Sequence, residues 1–128
     1  FLAAAPKKMV DDYAEVLELA GLRAVAAEIE SISLARTVSI ERLSKDNAAL
    51  IIALDKSKTV FIVIQKDIIR FTSSISQSNS DVIIEEAKRS LDFAREHIVK
   101  NGSIDLILIG EKDMAKSLSR FLSDGLNE

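Results

Sequence analysis

A chain of 128 residues, 48% of them apolar, has material for one ordinary domain with its own core and is too apolar for global disorder. Its formal net charge of −3, with lysines and arginines interspersed among acids, lacks the basic stripe of a nucleic-acid binder. The absence of cysteine excludes a disulfide scaffold, thiol catalysis and thiolate metal sites, and fits a reducing compartment.

The chain opens on FLAAAPKK, which is too short for a signal peptide and lacks its basic start. It begins without Met and ends soon after a helical pattern, so it reads as an excerpt of something longer. No apolar run approaches the ~20 residues needed to span a bilayer. Phe1 to Ala5 is a short apolar run with the character of a strand. Pro6 suits the first position of a helix, where its missing N–H costs nothing. Val10, Tyr13, Leu17 and Ala20 recur at helical spacing, and Gly21 supplies the stop. Leu22 to Glu30 alternates as a strand does. Ser31 is placed to cap a short helix reaching about Val38. A polar linker, Glu41 to Asn47, follows.

Then the character changes. Ala48–Leu54, Thr59–Gln65 and Ile68–Ser74 are β-branched and apolar. The first two are almost continuously hydrophobic, which predicts strands covered on both faces. Their connections, Asp55-Lys56-Ser57-Lys58 and Gln65-Lys66-Asp67, are short and polar, so the three strands should form an antiparallel meander. Ser76–Ser80 is a loop, with Ser78 and Asp81 spaced as a helix cap. Ile84, Ala87, Leu91, Ala94 and Ile98 make the stripe of the longest helix, ended by Asn101-Gly102. Ile104–Ile109 reads as a buried strand. Met114, Leu118, Phe121 and Leu122 mark a last amphipathic helix.

The predicted fold class is α/β: a β-α-β-α segment, then a three-strand meander followed by α-β-α. That second pattern is the order of the ribonuclease-H-like fold, which underlies actin-like ATPases, sugar kinases and several nucleases, so it sets no function by itself.

Residue-level features narrow the field. LAAAPKKMVDDYAEVLELAGLRAVAAEIESISLAR holds Ala5-Pro6 at a helix start, Ala20-Gly21-Leu22 at its end, and Glu28–Glu30 leading to Ser33–Arg36. VIQKDIIRFTSSI carries a short turn into Arg70-Phe71-Thr72, and EEAKRSLDFAREH precedes IDLILIG. These stretches resemble the PilM-type pilus-assembly proteins across nearly the whole chain; the cell-division protein FtsA shares the architecture more distantly. By that resemblance, residues 1–40 correspond to the end of a first actin-like half. Residues 47–128 then form a second, ribonuclease-H-like half without its inserted subdomain, since only about ten residues separate the third strand from the long helix.

The family carries Asp-x-Gly-x-x-x-Thr at its first turn, to hold a metal–water cluster and let backbone approach phosphate. Counting back from Arg70-Phe71-Thr72 puts Ala53 at the Asp, Asp55 at the Gly and Thr59 at the Thr. The residues of a degenerate nucleotide site would thus be Asp55, Lys56, Ser57, Thr59 and Gly110. A carboxylate at Asp55 repels a phosphate at ~4 Å by about 1 kcal/mol even in water, although Lys56 and Lys58 offset it. The adenosine-packing glycines reduce to Gly110 followed by Glu111-Lys112, and a further Gly-Gly after the third strand is replaced by Ser76-Gln77.

A ribonuclease-H-like nuclease needs a carboxylate on the first strand for two metals; Ala53 offers none, and Asp46 and Asp55 lie outside the strand. Glu28 and Glu30 share a strand face and read as an exposed strand end. Glu85 with Arg89 and Lys88 with Asp92 are spaced for helix-surface ion pairs. His97, the single histidine, suits a helix C-terminus and has no second ligand beside it. Gly-x-Ser-x-Gly is absent, and SSISQSNS reads as a flexible loop.

The resemblance implies an assembly adaptor of a type IV pilus or related secretion machine, cytoplasmic and peripheral to the inner membrane. The implied partner is a membrane-anchored PilN-like protein bound through a short peptide segment, with self-association open and no nucleic acid. No cofactor is expected; ATP and Mg would bind only if the altered site still works. The alternative is part of a functional actin-like ATP-binding protein whose other half lies outside this chain.

Overall fold

A computed structural model describes residues 4–38, 47–66, 68–76, 79–100, 102–110 and 112–125. Eight elements follow in order: α1 (Lys7–Leu19), α2 (Glu30–Thr37), β1 (Ala48–Leu54), β2 (Lys58–Gln65), β3 (Ile68–Ser76), α3 (Ser80–His97), β4 (Ile104–Ile109) and α4 (Lys112–Gly125). The four strands make one sheet in the order β3-β2-β1-β4. β1 pairs antiparallel with β2, from Ala48 opposite Gln65 to Leu54 opposite Thr59, and parallel with β4, from Ala48 opposite Ile104 to Ala53 opposite Ile109.

The continuous hydrophobicity of β1 and β2 has its cause in this order. They are the central strands, and every residue of β1 is buried. Alternate side chains go to opposite faces. Leu50, Ile52, Leu54, Phe61 and Val63 pack under α3 and α4, against Ile83, Ala87, Leu91, Ala94, Leu118 and Leu122. Ala49, Ile51, Ala53, Val60, Ile62 and Ile64 face the other way, against Leu34, Ala35 and Val38 at α2. Each fully buried Leu, Ile or Phe contributes about 1.5–3 kcal/mol, so these two layers hold the fold together. The stripe of α3 is as predicted, with Ile84 and Ile98 half-buried at its margins.

β3 is a sheet edge. Its burial alternates, its exposed positions include Arg70, Thr72, Ser74 and Ser76, and its register slips at a bulge beside Val63/Ile64. Both features discourage edge-to-edge pairing. Lys66, in the turn before it, takes the left-handed region at φ 54° without a glycine.

Several expectations need correction. The strand predicted over Leu22–Glu30 does not form. Residues 22–29 carry neither helix nor ladder and are exposed up to Ile29, because no strand among the described residues takes their N–H and C=O groups. The predicted N-terminal strand lies outside the described residues over 1–3, and Ala4 and Ala5 are not in a strand. The described chain before β1 is therefore helix, irregular segment, helix. β4 forms over the predicted residues but is an edge strand with Asp105 and Leu106 exposed. Ser31 does not cap α2; the helix begins two residues earlier than a Ser31 cap requires, at Glu30 after Ile29, with no side-chain cap, and Ser31 is buried within it. Ser78 lies outside the described residues, and Asn79 caps α3, its side chain accepting from the Val82 N–H at 3.1 Å.

Helix α1 stands apart. It buries none of its residues, although Met9, Val10, Tyr13, Val16 and Leu17 line one side of it. It ends in a Schellman arrangement: Gly21 takes φ +75°, the Leu22 N–H donates to Leu17 O at 2.8 Å and the Gly21 N–H to Glu18 O at 2.9 Å.

Candidate functional site

In an open α/β sheet, ligands bind outside the carboxyl ends of the parallel strands. Here that rim is where β1 and β4 end together. The structure brings Asp55, Lys56 and Ser57, the turn after β1, to the same end of the sheet as Gly110, the residue after β4. Thr59, at the start of β2, is buried opposite Leu54. The five residues expected from sequence therefore share one rim.

Their chemistry is occupied internally. The Asp55 N–H donates to Lys58 O at 3.0 Å and closes the hairpin. The Asp55 carboxylate then accepts from the Lys56 N–H at 2.7 Å and from the Ser57 hydroxyl at 3.1 Å. These are the backbone and hydroxyl donors that a phosphate oxygen would need, and the turn's own anion has taken them. The Lys56 N–H and the Ser57 hydroxyl, with Lys58 and Lys56 nearby, hold the Asp55 carboxyl below the usual aspartate value. Lys58 is itself paired with Glu30 at the start of α2. Sequence hinted at this: Asp followed by Lys-Ser is an Asx-turn pattern.

Gly110 has a packing reason for being glycine. Its φ is +154°, and a Cβ there would sit 2.9 Å from Leu54 O and 3.0 Å from Leu54 Cβ. β4 and β1 approach too closely at their ends for a side chain. Ala53 points into the α2 face, paired with Val60 and Ile109. Alternation puts Thr59 on the opposite face with Phe61, so the two positions aligned with the family's Asp and Thr stand on opposite sides of the sheet.

The remaining acids and the histidine resolve as surface chemistry. Glu28 pairs with Arg36 at 2.5 Å, so Glu28 and Glu30 serve separate ion pairs. On α3 the predicted i,i+4 pairs do not form; Arg89 lies 3.5 Å from Glu86 and Arg95 lies 3.7 Å from Asp92, one residue closer in sequence. Glu86 is drawn inward because it also accepts from Ser73 of β3 at 2.6 Å. His97 stacks on Phe93, centroids 4.8 Å apart, with its Nδ1 3.3 Å from Phe93 O. No group of three or more metal-ligating side chains occurs among the described residues. No helix among the described residues is long and apolar enough to cross a membrane.

No family model matches the chain, and no curated protein matches it. Among solved structures, its fold is similar to that of a chain from a "PilM-PilN type IV pilus biogenesis complex". The TM-score is 0.69 and the identity 17%, over 96% of this chain and 46% of that one. The chain thus spans under half the length of that neighbour, and at this identity the likeness is one of fold.

Proposed function

We propose that this chain is an assembly or adaptor domain of a type IV pilus or a related secretion machine. In this reading it is a degenerate actin-like, ribonuclease-H-like fold that docks partner proteins at the cytoplasmic side of the inner membrane. The observation that carries the reading is the likeness of fold to the PilM–PilN chain over 96% of this sequence. Residues 1–40 then belong to a first actin-like half and 47–128 to a second, and α1 is exposed because the sheet it serves lies outside them. The partner is a membrane-anchored, PilN-like protein, recognised through a short cytoplasmic segment in a groove or at a sheet edge.

ATP and Mg do not fit the residues present. The rim lacks a carboxylate at Ala53 and offers phosphate a turn whose donors are bound to Asp55. The reading therefore assigns no turnover to the rim and treats it as a structural end of the sheet. Titration calorimetry tests both parts. A synthetic N-terminal cytoplasmic segment of a PilN-like protein should bind, and Mg-ATP should not. Micromolar affinity for Mg-ATP would defeat the adaptor reading in favour of an ATP-binding half. Asp55→Gly alone should gain no nucleotide affinity, since Ala53 is unchanged.

A further inference from the structure

We draw no further inference here: the strongest candidate, the cleft of about 300 Å³ between α3 and β4 lined by Leu91, Arg95, Val99, Ile104 and Leu106, lies at an edge of the sheet, and nothing in the structure shows what covers it.

Discussion

The sheet body and the N-terminal arm both carry large apolar side chains and leave them in opposite states. β1 and β2 bury Leu50, Ile51, Ile52, Phe61, Ile62 and Val63 completely. The arm, α1 and residues 22–28, leaves Tyr13, Val16, Leu19 and Val25 at 63–84% exposure. The difference lies in the availability of partners. A β-strand exists only when another strand takes its backbone groups, and an amphipathic helix is stabilised mainly by the surface its apolar side covers. The body supplies both within itself. The arm has a competent helix, with Lys7–Asp11 and Lys8–Asp12 pairs and a Schellman end, and none of the described residues buries its apolar side.

Three substitutions sharpen or break this contrast. Leu91→Asp places a charge at the centre of the α3 stripe, among Leu50, Ala87 and Leu118. The lost apolar burial alone costs about 2–5 kcal/mol and the unpaired carboxylate adds to it, so circular dichroism should show the domain unfolded. A folded variant with unchanged melting would mean that α3 does not cover the sheet. Gly110→Ala should cost about 1–3 kcal/mol, since the new methyl meets backbone at Leu54, which yields less readily than a side chain. Denaturant titration reads this, and a neutral result would show that the ends of β1 and β4 are not in contact. Val16→Asp in α1 should change the melting of the dilute chain by less than about 0.5 kcal/mol, because Val16 is 63% exposed and α1 buries nothing. A large loss there would mean that the arm packs on the body and that the contrast fails.

The candidate site was legible in part. Asp-Lys-Ser-Lys between two apolar runs identified the turn, and the absent glycine identified its departure from a phosphate-binding hairpin. Sequence did not say that Asp55 would bind its own turn, although Asp is the residue that does so. Nor did it say that Gly110 answers to Leu54 across the sheet, because that approach joins residues distant in the chain.

Local pattern determined the strands β1 to β4, the stripe of α3 and the stop at Gly21, since side-chain period and backbone preference act within a few residues. Tertiary structure decided which strands lie at the centre, that β4 is an edge, that Leu22–Glu30 is no strand, and that Arg89 meets Glu86 instead of Glu85. Each of those outcomes depends on a neighbour brought from elsewhere in the chain, and a short stretch of sequence carries no record of its neighbours.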